Sequence, residues 1–389
     1  MGAQLERSVQ ALSDLTDLMA SVEHHRELRN LEVGTMHLKT TASTDHDTFR
    51  HAVRDLCAQF PAAYHRKHGA ARTYPEEFID ALTRAGWLSA MIPEEFGGAG
   101  LGLTEASIVM EEINRSGGNA GHCHGQMYNM STLLRHGSAE QKQKYLPRIA
   151  SGDLRLQSMA VTEPTTGTDT TKLKTSAIRK GDRYVVNGQK VWISRVQHSD
   201  LMILLARTTP LADVRRKTEG LSVFIVELDQ AIGKGMSINP IENMVGHETN
   251  ELFFDNLEVP AENLIGEKGR GFRYILDGLN AERTLIAAEC IGDGYWFIEK
   301  AVEYAGQRQV FDRPIGQNQG VQFPIARAFV DLEAADLMRF EACRRFDANE
   351  ECGAQANMAK LLAADASWKA ANECLQAHGG FGFAQEYDV

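Results

Sequence analysis

Two short stretches decide how this chain folds: VTEPTTGTD at Val161–Asp169 and NGQKVWIS at Asn187–Ser194. The first has the composition of a loop, because it combines proline and glycine with four threonines. The second indicates a strand, and alternation along it places Trp192 and Ser194 on one face. Such a face beside a hydroxyl-rich loop would suit a flat ligand with polar edges. The same pattern also fits an ordinary sheet with a polar loop, so the residues alone leave both interpretations open.

The backbone of this region is predicted from its glycines, its proline and its β-branched residues. Pro164 fixes one φ angle, and Gly167 permits a left-handed one. Gly181 and Asp182 mark a turn, and the run Tyr184–Val186 has the β-branched and aromatic character of a strand. The segment is therefore predicted as sheet, with the polar loop at one end.

The paired motifs resemble those of the acyl-CoA dehydrogenases. In that family the flavin loop reads Thr-Glu-Pro, Gly, Ser/Thr-Asp, and the next flavin strand reads Lys-x-Trp-Ile-Thr/Ser. The resemblance extends from about Asp45 to the last residue. It implies a mostly α-helical protein with a central β domain, an α+β fold. The expected order is an N-terminal helical domain, a middle β-barrel or sandwich, and a C-terminal helical bundle.

Residue patterns along the chain agree with that order. We expect an N-terminal extension without assigned function at 1–44, a helical domain at 45–156, a β domain forming the flavin seat at 157–266, and a helical domain at 267–389. The last is expected to be incomplete relative to the family. Short apolar runs predict strands, and they lie at Leu201–Ala206, Leu221–Val226 and Glu251–Phe254.

Composition narrows the class of protein. The 389 residues are 43% hydrophobic, enough for a large core, and carry a formal net charge of −11, which argues against nucleic-acid binding. No apolar run approaches the ~20 residues that span a bilayer. The six cysteines are scattered, a pattern typical of reduced thiols in a cytosol-like compartment. We therefore expect a cytoplasmic enzyme or binding protein.

One small, polar run stands out between two predicted helices. Ser116–Gly125 reads SGGNAGHCHG, and by the resemblance the helix there would line the acyl cavity. Its His122-Cys123-His124 triplet has metal-ligating side chains. Residues two apart on a helix point to different faces, and no further ligand lies nearby in the sequence, so no metal site is predicted.

Glu282 is the carboxylate that the pattern singles out. It falls on a helical stripe with Leu279 and Ile286, among apolar residues recurring every three or four positions from Phe272 to Cys290. A carboxylate facing an apolar interior is paired, protonated or functional. Burial would raise its pKa toward neutrality, as suits a general base. A buried ion pair with a neighbouring helix is the alternative.

The resemblance favours the catalytic role. Asn280-Ala281-Glu282-Arg283 resembles the segment beside the thioester, where the isovaleryl-CoA and long-chain types carry their catalytic glutamate before the arginine. Most other members place the base in a Tyr-Glu-Gly loop near the C-terminus, and this chain ends at Val389, ahead of that loop. We therefore expect Glu282 to be the base, or the chain to have none.

The resemblance also implies a set of binding residues. A second cofactor segment runs from Arg308 to Gln319, with Asp312 in place of the usual glycine, and a Gln-x-x-Gly-Gly motif follows at Gln376–Gly380. The expected FAD-binding residues are Met159, Val161, Thr162, Gly167, Thr168, Trp192, Ser194, Arg308, Phe311, Gln319, Gln376, Gly379 and Gly380. The expected substrate-binding residues are Thr168, Asn280 and Arg283.

The function implied is FAD-dependent α,β-dehydrogenation of an acyl-CoA thioester. Electrons would pass to an electron-transferring flavoprotein, and residues that reach a partner's cofactor imply a homo-oligomer, a dimer or tetramer. Two alternatives stay open at this point. One is a flavin-dependent oxidase or monooxygenase on the same scaffold, and the other is a non-catalytic, truncated homologue.

Overall fold

The computed structural model describes residues 46–244 and 248–389, so the predicted extension at 1–44 lies outside the described residues. The described chain begins with helices, and the helix Ala139–Ala150 starts with a capping box in which Ser138 and Gln141 exchange side-chain to backbone bonds. The helices of this region are α1 (Asp47–Cys57), α2 (Ala62–Ala71), α3 (Glu76–Arg84), α4 (Leu103–Arg115), α5 (His124–His136) and α6 (Ala139–Ala150).

A mixed sheet follows, in the order β6-β7-β3-β2-β4-β5-β8 with β1 parallel to β4. Its longest pairing joins β3 and β7 antiparallel, from Arg183 opposite Pro260 to Ser194 opposite Thr249. The strands are β1 (Ser158–Ala160), β2 (Ser176–Lys180), β3 (Arg183–Ser194), β4 (Leu201–Arg207), β5 (Leu221–Glu227), β6 (Met236–Ile241), β7 (Thr249–Pro260) and β8 (Leu264–Ile265), with a short helix α7 (Leu228–Ala231) after β5.

The sheet has its own core. Residues on β4 and β5 are buried almost throughout, which matches their continuous apolar sequence. Tyr184 and Phe224 pack edge to face, with ring centroids 4.9 Å apart. The three strands predicted from apolar runs are confirmed within one residue for Leu201–Arg207 and Leu221–Glu227, whereas the third extends to Thr249–Pro260.

The C-terminal part is helical again and is interrupted by a small hairpin. Alanines of α10, one face of the helix from Ala356 to Ala370, pack with residues of α8 and α9 around Phe329 and Leu332. Small side chains let the helices approach closely. The elements are α8 (Gly271–Gln307), β9 (Gln309–Val310), β10 (Arg313–Pro314), α9 (Gln319–Asp347) and α10 (Gly353–His378).

A cluster of buried charges joins helices in this part of the molecule. Arg50 donates to Glu111 and Glu112, each at 2.6 Å. The guanidinium of Arg339 donates to Glu111 at 2.7 Å and also bonds Asp336. Arg339 and Glu111 are fully buried. Opposite charges within one site offset much of their desolvation cost, so the cluster is a set of buried ion pairs.

The described residues divide into two compact units. One contains Ser107–Gly118, Ile286–Val389 and the described chain up to Ala62, and the other contains Ala63–Ala106 and Asn119–Leu285. The predicted fold class, helices then sheet then helices, is confirmed, while the predicted domain boundaries stay predictions. Among described residues, no helix has the length and apolar character that crossing a membrane requires.

Candidate active site

The loop Val161–Asp169 is held by a buried glutamate that the sequence interpretation missed. Glu163 accepts hydrogen bonds from the backbone amides of Lys174 at 2.7 Å and Thr175 at 2.9 Å. The ammonium of Lys190, on β3, donates to Glu163 at 3.0 Å and to the carbonyl of Val161 at 2.8 Å. A side chain of the flavin strand thus fixes the flavin loop.

The electrostatics of this pair are those of a buried ion pair. Burial opposes ionisation of Glu163, but Lys190 and the two amides hold its pKa below the usual value. Burial lowers the pKa of Lys190 to about 8, against the attraction of Glu163. The sequence did contain a signal, because alternation from Tyr184 and Val186 places Lys190 on the buried face of β3.

The hydroxyls that the resemblance assigns to FAD are not used by the protein. Among described residues, the side chains of Thr162, Thr168 and Ser194 form no hydrogen bond. The loop is tied to β3 instead through its backbone, since the amide of Val191 donates to the carbonyl of Thr162 at 3.0 Å. These hydroxyls are available to the polar edge of a flavin, so the residues present fit FAD.

Trp192 lies on an interruption of the strand. The β3–β7 register shifts between Lys190 and Ile193, so two residues oppose one, and Trp192 takes a φ of 62°. The simple alternation expected from Val191 to Ser194 therefore does not hold. The bulge turns the indole outward, where it is 60% exposed, and such a face can cover a flat ring.

Three further residues of the loop region differ in how they support the prediction. Met159 lies in β1 and pairs with Ile203 of β4, and Val161 receives Lys190 through its carbonyl. Gly167 was expected to permit a left-handed φ, and this is wrong, because its φ is not among the positive values of the chain. A Cβ at Gly167 would meet nothing within 4 Å, so glycine leaves open space rather than relieving strain.

Glu282 lies on α8, in the same compact unit as the loop and β3. The predicted stripe is only partly correct. The most deeply buried face of this helix runs through Ile275, Gly278, Ala281 and Leu285, whereas Glu282 is half-buried. Two of these four positions are glycine and alanine, which a search for large apolar residues overlooks. The raised pKa of Glu282 stays a prediction.

Two of the three residues predicted to bind substrate, Asn280 and Arg283, flank Glu282 in the sequence. Arg283 donates from Nη1 to Oδ1 of Asn280 at 3.2 Å, and both side chains are half-buried. This bond places the guanidinium over the turn that precedes the carboxylate. The arrangement keeps two polar groups of the predicted thioester site on one side of α8.

Helix α5 packs antiparallel on the first part of α8. His136 bonds Asp277 at 2.8 Å and stacks on Tyr274 with ring centroids 4.2 Å apart. One turn earlier on α5, Thr132 lies against Gly278, where a Cβ would come within 2.6 Å of its hydroxyl. A further turn along α5, the carbonyl of Tyr128 lies 3.8 Å from the same Cβ position. Helix α5 therefore packs against the turns of α8 that precede Glu282.

The second cofactor segment lies in the other compact unit. Arg308, Gly379 and Gly380 line a cavity of about 630 Å³, together with His378 and Tyr304, which the sequence interpretation did not select. His378 stacks on Tyr304 with ring centroids 4.1 Å apart. No heavy atom lies within 4 Å of a Cβ built on either glycine, so both backbones are open to a ligand.

The remaining predicted residues of this segment lie at the surface. Gln319 and Gln376 are exposed, and Phe311 is 93% exposed at the tip of the β9–β10 hairpin. At this tip Phe311 and Asp312 take φ values of 54° and 60°. Two left-handed residues in a two-residue loop make a type I′ turn. Asp312 therefore adopts the conformation that a glycine would.

The His122-Cys123-His124 triplet has other roles. The carbonyl of His122 accepts the hydroxyl of Tyr74 at 2.8 Å, and His124 packs against Tyr128 with ring centroids 5.5 Å apart. Within residues 46–244 and 248–389, no group of three or more His, Cys, Asp or Glu side chains is arranged to hold a metal ion.

Comparisons with known proteins agree with this geometry. The family descriptions "Acyl-CoA dehydrogenase, N-terminal domain", "middle domain" and "C-terminal domain" match residues 43–153, 158–257 and 269–389. An acyl-CoA dehydrogenase of Bacillus subtilis (strain 168) is 37% identical over 321 residues, 81% of this chain and 83% of the relative. A cyclohex-1-ene-1-carbonyl-CoA dehydrogenase of Syntrophus aciditrophicus (strain SB) is 34% identical over 322 residues, which cover 82% of this chain and 76% of the relative.

A solved structure shows the same fold. The glutaryl-coenzyme A dehydrogenase, in its glutaryl-CoA complex, superposes with a TM-score of 0.82 at 30% identity, covering 90% of this chain and 89% of that one. The match covers most of the length of these relatives, and the three family descriptions follow one another along nearly the whole described chain. The chain belongs to the acyl-CoA dehydrogenase family.

Proposed function

We propose that this protein is an FAD-dependent acyl-CoA dehydrogenase in which Glu282 removes the α-proton of the thioester. One observation supports this most strongly. The unengaged hydroxyls of Thr162, Thr168 and Ser194 and the half-buried carboxylate of Glu282 belong to the same compact unit. A flavin edge needs such donors, and a dehydrogenase needs a carboxylate to take a proton.

The residues divide the work as follows. Thr162 and Ser194 would hold the polar edge of the flavin through their hydroxyls, and Trp192 would cover the ring with its exposed indole. Bound FAD supplies the acceptor for the β-hydrogen, which leaves with its electron pair. The α-carbon loses its proton to Glu282 as the new double bond forms. The acyl group thereby loses one proton and one hydride, which together amount to two protons and two electrons.

The thioester must be held while its α-proton is removed. Charge develops on its carbonyl oxygen, and hydrogen-bond donors aimed at that oxygen lower the barrier. Thr168 binds the CoA portion, and Asn280 and Arg283, on either side of the base, position it. The bond from Arg283 to Asn280 orders both side chains before substrate arrives.

The second segment serves the other end of FAD. Arg308, Gln319, Gln376 and the open glycines Gly379 and Gly380 bind the pyrophosphate and adenine side of a neighbouring subunit's cofactor, with Phe311 at the exposed tip nearby. The protein is accordingly a homo-oligomer, a dimer or tetramer, in the cytoplasm, and it passes electrons to an electron-transferring flavoprotein. Light scattering of the FAD-loaded protein measures the assembly, and a stable monomer that retains FAD contradicts the shared site.

Replacing Glu282 with Gln tests the proposal. The amide keeps the size of the side chain but accepts no proton, and loss of a general base typically costs ~10²–10⁴-fold in rate. We expect FAD to stay bound while flavin bleaching by an acyl-CoA ester slows by that factor. Glu303→Gln, the same change at an exposed position of α8, should leave the rate unchanged.

Three outcomes are informative. Bleaching at close to the wild-type rate in Glu282→Gln places the base elsewhere. Failure of every CoA ester to bleach the wild-type flavin contradicts the proposed function. Prompt uptake of oxygen by the reduced protein, in place of electron transfer to a dye acceptor, favours an oxidase on this scaffold.

A further inference from the structure

Arg195, directly after strand β3, is a buried cation whose side chain is not paired by any described residue. It is 4% exposed. Its guanidinium forms no hydrogen bond and no ion pair with any described residue, and Nε is buried without a partner. Burial of an unpaired charge is costly, so natural proteins seldom keep one without use.

The carboxylate of Glu248, whose backbone contacts Arg195, lies beside a different side chain, His198. Glu248 receives the backbone amide of Arg195 through its carbonyl at 2.7 Å, and its carboxylate lies 3.7 Å from Nε2 of His198. No carboxylate of a described residue lies within 4.0 Å of the Arg195 guanidinium. Arg195 itself is fixed in a left-handed conformation, with a φ of 59°, so its backbone is committed to this position.

The structure also shows where the guanidinium points. Nη2 lies 3.4 Å from where a Cβ on Gly121 would be, and that Cβ would also come within 2.5 Å of Oδ1 of Asn119. The Asn119 oxygen leaves no room for a side chain at position 121, and the guanidinium lies within van der Waals range of this glycine, three residues before α5 begins. This accounts for part of the small, polar run Ser116–Gly125, which the family resemblance placed along the acyl cavity.

The position of Gly121 relates Arg195 to the predicted base. Helix α5 runs antiparallel to the first part of α8, so its N-terminal end lies on the Glu282 side of the contact between Thr132 and Gly278. Gly121 precedes that end by three residues. An acyl chain that starts at the base and extends a few carbons toward Gly121 would end beside Arg195.

We propose that Arg195 binds the distal carboxylate of a dicarboxylic acyl-CoA monothioester, which deepens and rests on the proposed dehydrogenase function. The guanidinium offers a planar fork of donors that matches a carboxylate, and substrate binding supplies the missing counter-charge. An alkyl group at the same place would leave the cation buried and unpaired. Arg195 thus selects acyl groups that end in a carboxylate.

Matched esters test this. The FAD-loaded wild-type enzyme is assayed with glutaryl-CoA and valeryl-CoA, and with adipyl-CoA and hexanoyl-CoA, by flavin bleaching and with a dye acceptor. We expect kcat/KM to favour the carboxylate-ended ester of each pair. Arg195→Gln should reduce that preference by roughly 100-fold, the scale on which buried charge pairs act. Arg195→Lys keeps the charge but not the fork, so it should retain part of the preference.

Controls separate this proposal from others. Arg183→Gln, at the exposed opposite end of the same strand, should leave both rates unchanged. Equal activity of the wild type on both members of each pair overturns the proposal. So does an equal loss on both esters in Arg195→Gln with a lowered flavin potential, which would assign the charge to the cofactor. If Arg195→Gln loses FAD, the wild-type preference and Arg195→Lys decide.

The test also distinguishes this proposal from the function it rests on. Turnover of valeryl-CoA and hexanoyl-CoA without preference for the carboxylate-ended esters keeps the dehydrogenase and rejects the carboxylate site. Failure of all four esters to bleach the flavin rejects the dehydrogenase itself.

Discussion

Two buried arginines of this protein have opposite surroundings. Arg339, in the helical core, donates to Asp336, Glu111 and the hydroxyl of Ser107, the last at 2.8 Å. Arg195, at the end of the flavin strand, is almost as well buried and has no side-chain partner among the described residues. The fold therefore supplies hydrogen-bond partners to the side chain of Arg339, whereas the described residues supply none to that of Arg195.

This difference suggests a general way to separate structural from functional charges. A paired buried charge needs nothing further, and its removal leaves its partners unpaired. An unpaired one is already costly to the folded protein, so its removal relieves rather than damages the structure. Stability measurements on variants therefore report which of the two a charge is, independently of any activity assay.

Arg339→Met is expected to give the largest effect. It leaves Glu111 and Asp336 buried without their main counter-charge, and breaking such a pair typically costs 3–5 kcal/mol. Arg195→Gln should change the free energy of unfolding by less than about 1 kcal/mol, measured by urea denaturation of the same preparation. If the two variants lose similar stability, Arg195 is structural and the comparison fails.

Lys190→Met extends the comparison to the flavin loop. Lys190 is fully buried and paired with Glu163, so its loss should destabilise the folded protein. Glu163 would still accept the hydrogen bonds from the backbone amides of Lys174 and Thr175. We expect a loss of roughly 2–3 kcal/mol, with weaker FAD retention because the loop loses its anchor. Lys174→Met changes an exposed side chain and keeps its backbone amide, and it should affect neither quantity. An unchanged free energy of unfolding in Lys190→Met would mean that this pair is dispensable.

Asp293→Asn should give the smallest effect and the one that depends on pH. Burial, with the nearby charge of Glu289, raises the pKa of Asp293 to about 7. From about pH 4 to about pH 7 the folded state holds a proton that the unfolded state lacks, so the free energy of unfolding falls as pH rises. The asparagine removes that fall and can keep the contact with Asn114, which lies at 3.0 Å.

The measurement is a pair of urea curves at about pH 4 and about pH 8. We expect Asp293→Asn to be roughly 1–2 kcal/mol more stable than the wild type at the higher pH and equal to it at the lower. Glu303→Gln on the same helix should follow the wild type at both. If Asp293→Asn differs from the wild type by the same amount at both pH values, folding does not raise the pKa of Asp293.

The sequence predicted the order of elements because hydrophobic periodicity and turn residues are local properties. The strands β3, β4, β5 and β7, the Val161–Asp169 loop and the helix that carries Glu282 were found this way. The anchor formed by Glu163 and Lys190 was not, because a contact between residues 27 apart depends on the register of loop and strand. The buried face of α8 was missed since glycine and alanine carry no hydrophobic signal of their own.

The features nearest the predicted chemistry were the hardest to foresee. The bulge at Trp192 arises from a register shift between β3 and β7, which alternation within one strand cannot reveal. The unpaired state of Arg195 is a property of everything around it, including the glycine at 121. Motifs located the site, and only three-dimensional surroundings distinguish a satisfied charge from one that awaits a ligand.

The hairpin tip at Asp312 has a consequence for how this protein has changed over time. Its left-handed backbone is the conformation for which glycine is the default residue and which aspartate and asparagine tolerate. Exchange of glycine for aspartate at such a tip keeps the turn while adding a negative charge at the surface. Exchange among glycine, aspartate and asparagine therefore costs the backbone little, whereas a β-branched residue would be strained at this φ. The aspartate at position 312 is therefore compatible with the turn that this hairpin needs.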